Sequence, residues 1–201
     1  MHLLDRIRLF FGNGHHSNSN AMGASTQAFP SHPVAHQTAF TPSRTLPDKW
    51  PSRVLFICSG NICRSAYAAL VFQRLLKQTP HHTQICSAGT LRISGRMAAP
   101  LMIKAAEAWE DDLSTHRSSP LSRPLLNAAD LIFIMSPEHE HACLSLEPQC
   151  RPKICYLSHW LEPPSLEIPD PMGQPYEAYQ RASKQINEAL NHWFSHARTI
   201  G

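Results

Sequence analysis

The chain has 201 residues, 42% of them hydrophobic, and a formal net charge of +3 with neutral histidine. That length allows one domain of about 150 residues plus an appendage, and so small a charge without a basic cluster argues against a nucleic-acid partner. The six cysteines, with no uninterrupted apolar N-terminal segment or small-residue cleavage site, argue against a secreted disulfide framework and for reduced thiols in the cytoplasm.

Residues 2–11, HLLDRIRLFF, place Leu3, Leu4, Ile7, Phe10 and Phe11 on one helical face and Asp5, Arg6 and Arg8 on the other, with Leu9 spoiling the division. The segment is too short to span a bilayer. It reads either as a short amphipathic helix making weak peripheral membrane contact or as a tail of marginal helicity that docks nowhere. Residues 12–51 are rich in Ser, Asn, His, Ala, Thr and Pro, a composition that cannot bury enough surface to offset chain entropy, so a disordered linker is expected. The domain boundary falls at 51/52, with the N-terminal extension before it and the folded domain over 52–201.

Arg53 to Leu76 reads RVLFICSGNICRSAYAALVFQRLL. Val54 to Ile57 is an apolar, largely β-branched run bounded by polar residues, a buried strand, and Ala66 to Leu76 is a helix. Between them, Cys58 to Ser65 forms a strand-to-helix turn in which Gly60 and Asn61 are the residue types that best tolerate left-handed backbone. Such a turn points successive N–H groups inward and makes an anion nest at a helix N-terminus, spanning Ser59, Gly60, Asn61, Ile62, Cys63 and Ser65. A helix N-terminus and a nearby guanidinium both favour the thiolate form of Cys58. Arg64 can grip two oxygens of one anion, and Ser65 can cap the helix or hydrogen-bond the thiolate. A thiolate beneath a phosphate cradle is arranged for in-line attack on phosphorus.

Further along, Gln84 to Ser87 reads as a second strand, followed by the loop Leu91 to Ala99 and a helix opening at Pro100. Pro120 to Ala129 reads as a short helix. Leu131 to Met135 is apolar without alternation, a strand covered on both faces. Pro137 to Leu146 is a helix whose His139, His141 and Cys143, with Cys150 and Cys155, raise a zinc site. Positions 139 and 143 share a helical face while 141 points away, so four converging ligands are not expected and no metal or other cofactor is assigned. Lys153 to Leu157 is a fourth strand, the proline-rich Trp160 to Pro171 a loop carrying Asp170, and about Pro175 to Ala197 a long helix with Tyr179, Ile186, Leu190 and Trp193 on its apolar face. Strands alternating with helices predict an α/β domain with a four-stranded parallel sheet flanked by helices.

CSGNICRS (Cys58 to Ser65) and IPDP (Ile168 to Pro171), with SAGT, DLSTHRS, ADLIFIM and SHW between them in order, resemble the low-molecular-weight protein tyrosine phosphatases over about Arg53 to Arg198. The resemblance implies that Cys58 is the nucleophile, Arg64 and the loop bind phosphate, and Asp170 is first general acid and then general base around a cysteinyl-phosphate. His116 would support the loop through Asn61, and Ile93 and Met172 would flank the substrate cleft. Cys63 would trap an oxidised Cys58 as a disulfide. Ile62 stands where the arginine-phosphatase branch carries threonine, and SHW-then-IPDP resembles bacterial enzymes acting on autophosphorylating tyrosine kinases of capsule and exopolysaccharide export. Phosphotyrosine proteins, such a kinase among them, are therefore the expected partners. Met172 replaces the aromatic residue many members have after Asp-Pro, and Ala66 replaces the usual proline after Arg-Ser. An arsenate reductase with a cysteine relay, a protein arginine phosphatase, and a phosphotyrosine-binding module without turnover are the rival readings.

Overall fold

The computed structural model describes Arg44 and residues 46–198, which belong to a unit spanning Ala39–Gly201. The helix expected over 2–11, its membrane contact and the linker up to residue 43 lie outside the described residues. At the centre is β1 (Arg53–Cys58), whose run Val54 to Cys58 is buried throughout. It pairs in parallel with β2 (Gln84–Gly89) on one side and β3 (Leu131–Ile134) on the other, and β4 (Ile154–Tyr156) adds to β3, giving the order β2-β1-β3-β4.

The unbroken apolar runs of β1 and β3 follow from cover on both faces. Alternate side chains point to opposite sides of a sheet. Val54, Phe56, Leu131 and Phe133 enter a core shared with α1 (Arg64–Leu76), α2 (Pro100–Glu107) and α5 (Tyr176–Ala197). Leu55, Ile57, Ile132 and Ile134 enter a smaller one with α3 (Arg123–Ala128) and α4 (Pro137–Leu146). The larger layer is aromatic. Phe56 stacks on Phe133 at 5.2 Å between centroids, and Trp193 of α5 meets Phe133 edge-on at 5.7 Å, an arrangement that adds to simple area burial. The positions expected on the buried face of α5 (Tyr179, Ile186, Leu190 and Trp193) are all buried.

β1 is flanked on one side by the strand that follows it in sequence and on the other by β3, so the chain changes direction across the sheet beside β1. In open α/β sheets ligands bind at such a switch point, beyond the carboxyl ends of the strands. Cys58 ends β1 there, and β3 runs through Met135 and Ser136 into α4.

Three boundaries differ from the sequence reading. The helix expected from Pro120 starts at Arg123, because Pro120 forms a parallel bridge to Gly89 and Leu121 N donates to Gly89 O at 2.7 Å, extending the sheet edge. The fourth strand is shorter than expected, pressed between 3₁₀ segments at Pro148–Lys153 and Leu157–Trp160. Packed structure also begins before residue 52. Trp50 stacks on His81 at 3.9 Å, meets Trp193 edge-on, and donates from Nε1 to Thr83 Oγ1 at 2.9 Å. Arg44 donates to the carbonyls of His159 and Leu161 at 2.8 and 3.0 Å. Linker composition did not expose these anchors because each is a single large residue among small polar ones. Among the described residues no helix is long and apolar enough to cross a membrane.

Candidate active site

The turn after β1 is tight because Asn61 adopts a left-handed conformation, φ 50°. Gly60 does not share it, contrary to the expectation for both residues; its φ lies outside the positive region. Asn61 is chosen for more than its backbone. Its Nδ2 donates to Ser65 Oγ and to Ser87 Oγ, both at 2.9 Å, and its Oδ1 accepts from Ser119 N at 2.8 Å. Its backbone carbonyl accepts from His116 Nε2 at 2.7 Å. The contact between His116 and Asn61 is therefore to the main chain, and it fixes the imidazole proton on Nε2. Burial pushes the His116 pKa below the ordinary histidine value, its bond to Asn61 working the other way.

Cys58 is buried at the centre of this loop, and its Sγ accepts from Asn61 N at 3.2 Å. Ser65 Oγ lies 2.9 Å from the same sulfur, so of its two expected roles Ser65 takes the bond to the thiol. The residue before α1 is Cys63, which supplies no side-chain cap to the helix. The first N–H groups of an uncapped helix are the donors an anion seeks. The Cys63 thiol is pushed up to about 12, first by burial and then by Cys58 and Asp170, so it is protonated at neutral pH.

Arg64 is 3% exposed and reaches three elements. NH1 donates to Ile168 O at 3.0 Å, NH2 donates to Ser59 Oγ at 3.3 Å, and NH2 also pairs with Asp170 Oδ2. Its Nε–H is buried without a hydrogen-bond partner among the described residues. A buried donor left unmatched is costly, and a tetrahedral oxyanion is the acceptor this fork fits. Asp170, with 41% of its side chain exposed, is held on its other oxygen by Met172 N at 3.1 Å.

Of the two expected cleft residues, Ile93 lies beside the loop, since a Cβ on Gly60 would sit 4.0 Å from Ile93 Cδ1. Met172 is half-exposed and its sulfur accepts from Tyr179 OH at 3.6 Å. Two residues escaped the sequence reading as contributors to this site. Gly89 allows the end of β2 to lie directly against the loop backbone. His139, weighed only as a zinc ligand, is buried against Ser59, Nε2 to Oγ 3.1 Å, and against Ser136, Nδ1 to Oγ 3.1 Å. His141 is exposed, and among the described residues no group of three or more His, Cys, Asp or Glu side chains could hold a metal. Gly89 stood within the SAGT segment, which marked the family but not the glycine's contact with the loop, and His139 had no local motif to mark it.

A buried thiol at the switch point beside β1, holding the Asn61 main-chain N–H and the Ser65 hydroxyl and backed by a buried arginine and a carboxylate, defines the phosphate-handling cysteine class of α/β proteins. The family model described as low molecular weight phosphotyrosine protein phosphatase matches residues 53–199, and the chain belongs to that family of enzymes. The low molecular weight protein-tyrosine-phosphatase Wzb of Salmonella typhi is 31% identical over 147 residues, 70% of this chain and 95% of the relative. A protein-arginine-phosphatase of Bacillus subtilis is 27% identical, over 68% of this chain and 91% of its own. In structure, Vibrio vulnificus Wzb in complex with benzylphosphonate superposes with a TM-score of 0.66 at 31% identity, over 72% of this chain and 98% of that one.

Proposed function

We propose that the chain hydrolyses phosphotyrosine on proteins through a cysteinyl-phosphate at Cys58. The observation that carries this reading is the convergence on one sulfur of Asn61 N and Ser65 Oγ, beside an Arg64 whose buried Nε–H lacks a partner among the described residues.

The phosphate enters the loop from Ser59 to Ser65, its oxygens accepting from main-chain N–H groups and from Arg64 Nε–H. It displaces Asp170 from Arg64 NH2, which frees the carboxyl group for chemistry. The Cys58 thiolate attacks phosphorus as the P–O bond to the tyrosine oxygen breaks, and Asp170, as the acid, protonates that oxygen. Asp170, now carboxylate, takes a proton from water as the water oxygen bonds to phosphorus and the S–P bond breaks. The departing thiolate is received by Asn61 N–H and Ser65 O–H. Charge on the phosphoryl oxygens is balanced throughout by Arg64 and fixed backbone dipoles.

The tyrosine-phosphatase activity for which the Salmonella relative is named and the buried Ile62 in place of threonine support phosphotyrosine over phosphoarginine. The finer reading, that the substrate is an autophosphorylated tyrosine kinase or its targets in capsule or exopolysaccharide control, rests on the resemblance of Ser158 to Trp160 followed by Ile168 to Pro171 to bacterial enzymes of that kind. The six free cysteines suit the reducing cytoplasm. An arsenate-reducing relay is disfavoured by their placement. Cys143 and Cys150 lie in the smaller core, whereas Cys155, which accepts from Trp160 Nε1 at 3.3 Å, lies in the larger one with Cys58 and Cys63.

The test is steady-state hydrolysis of p-nitrophenyl phosphate, a phosphotyrosine peptide and a phosphoarginine peptide by wild type and Cys58→Ser. Turnover of the first two, abolished in Cys58→Ser, is expected. Preference for phosphoarginine would replace the substrate while keeping the chemistry, and an inert wild type that binds phosphopeptide would make the protein a binding module.

A further inference from the structure

We infer that His139 is a positioning residue for Arg64, holding its guanidinium in register with the anion cradle through the Ser59 hydroxyl, as a neutral imidazole protonated on Nδ1. The inference deepens the phosphatase reading of this site and rests on it for its kinetic consequences.

The direction of each hydrogen bond follows from the chemistry of the groups. A guanidinium only donates, so Ser59 Oγ, 3.3 Å from Arg64 NH2, accepts there. The Ser59 O–H is then free to donate, and His139 Nε2 stands 3.1 Å away. The Glu138 carboxylate can only accept from the Ser136 hydroxyl, so Ser136 Oγ accepts from His139 Nδ1–H at 3.1 Å, and the neutral ring keeps its lone pair on Nε2. The Ser136 hydroxyl in turn hydrogen-bonds the Glu138 carboxylate and lowers its pKa. The result is a directed chain, Arg64 to Ser59 to His139 to Ser136 to Glu138, with a cation at its donor end and an anion at its acceptor end. Chains of this polarity reinforce each link.

The placement is equally specific. Arg64 and His139 are 3% and 2% exposed, and they come from α1 and α4, which cover opposite faces of the sheet. They meet only because β1 and β3 end side by side at the switch point. The charged groups acting on His139 are Arg64 from α1, Glu138 from its own helix and Asp170 from the loop before α5; burial and the Arg64 charge outweigh the two carboxylates and hold its pKa down to about 4. A protonated His139 would turn Nε2 into a donor aimed at an oxygen that already accepts from Arg64, and the chain would lose its direction.

The tests use the full chain. The ring tautomer is read by ¹⁵N NMR of the imidazoles, with His139→Gln to assign the signal; Nδ1–H at neutral pH is expected, and Nε2–H overturns the inference. Kinetics on p-nitrophenyl phosphate and competitive inhibition by inorganic phosphate are then compared for wild type, His139→Gln, His139→Ala, Ser59→Ala and the double variant. His139→Ala should lower kcat/KM and weaken phosphate binding on the order of tenfold, and His139→Gln, which can present a carbonyl oxygen near the Nε2 position, should recover most of the loss. Ser59→Ala should remove the benefit of His139, so the double variant should resemble the single ones. Additive losses, or phosphate affinity and kcat/KM unchanged in a folded His139→Ala, would overturn it. Should His139→Ala fail to fold, the Gln variant and the tautomer still decide. If wild type proves inert towards p-nitrophenyl phosphate, the phosphatase reading fails, whereas the tautomer and phosphate binding continue to test the relay.

Discussion

Gly89 lies so close to Ser59 that a Cβ at position 89 would stand 2.7 Å from the Ser59 carbonyl oxygen, with Asn61 N and Gly60 C each 2.9 Å away. All three atoms belong to the backbone of the loop between β1 and α1 and cannot swing aside like a side-chain tip. The main chain of β2 is in effect the floor against which the cradle is formed, and the contact is tied by Thr90 N to Cys58 O at 3.0 Å and Leu91 N to Ser59 O at 2.8 Å.

Gly89→Ala should therefore push the loop off its floor. A loss of about 1–3 kcal/mol in stability is expected from overpacking, with a fall in kcat larger than that of a comparable substitution away from the loop. Thermal melts together with p-nitrophenyl phosphate kinetics check this. An alanine variant with wild-type kcat would mean that the loop tolerates displacement.

Asp170 occupies Arg64 NH2, so in the proposed mechanism it competes with the incoming phosphate as well as serving it. Asp170→Asn should tighten inorganic phosphate binding by roughly fivefold, the worth of about 1 kcal/mol for a half-exposed ion pair. The same change should lower kcat by about 10²–10⁴, the usual contribution of a general acid. Equilibrium binding and steady-state kinetics on one preparation separate the two. Weaker phosphate binding in the Asn variant would show that the carboxylate does not obstruct the site.

His139 also makes stability depend on pH. Its folded pKa, about 4, lies below the ordinary histidine value of 6.5, so between those values the unfolded chain binds more protons than the folded one. The stability from a neutral buried His139 is fully present above 6.5 and is lost progressively as pH falls to about 4; His116, also lowered, contributes with the same sign. Urea unfolding at pH 7.5, 5.5 and 4.5 should show a shallower decline in His139→Gln than in wild type. Parallel declines would contradict the assignment.

Asp111 is buried between Arg74 Nε at 3.0 Å and Tyr67 OH at 3.2 Å. Asn187 closes the network, accepting from Arg74 at 2.6 Å and donating to Tyr67 OH at 2.7 Å. This network joins α1 and α5 to the end of α2. Asp111→Ala leaves a guanidinium and a phenol half-satisfied, and about 2–4 kcal/mol of stability should be lost with kcat changed no more than a few-fold. Chemical denaturation and activity at a temperature where both proteins are folded check the pair of outcomes.

Because Arg44 and Trp50 are anchored, truncations should divide sharply. Removing residues 1–43 should leave turnover and melting temperature close to full length. Removal of 1–51 should cost about 1–3 kcal/mol through loss of the Trp50 contacts with His81, Thr83 and Trp193. Equal stability of both truncations would show that these contacts carry little. Vesicle binding by full length but not by 44–201 would support membrane contact through residues 2–11.

What could be read from one sequence was what lies close together along the chain. Cys58, Asn61, Arg64 and Ser65 sit within one turn between a strand and a helix, so their residue types alone imply a nest, a nucleophile and a cation. The unbroken runs of β1 and β3 likewise imply a sheet covered on both faces. Resemblance carried Asp170 and His116 across the chain, but it could not say that Asp170 rests on Arg64 or that His116 takes hold of the Asn61 main chain rather than its side chain.

The remainder is set by which chain segments the sheet brings together. Within SAGT, Gly89 looked like a strand end until β2 was laid against the loop after β1, and His139 resembled a stray metal ligand until β3 delivered it to Ser59. Pro120 suited a helix start by propensity, yet a bridge to Gly89 drew it into the sheet edge. Local sequence determined the chemistry of the cradle, because its donors and nucleophile are neighbours in the chain. Only the tertiary structure decided what supports Arg64 and the loop, because those contacts come from residues distant in sequence that leave no local pattern.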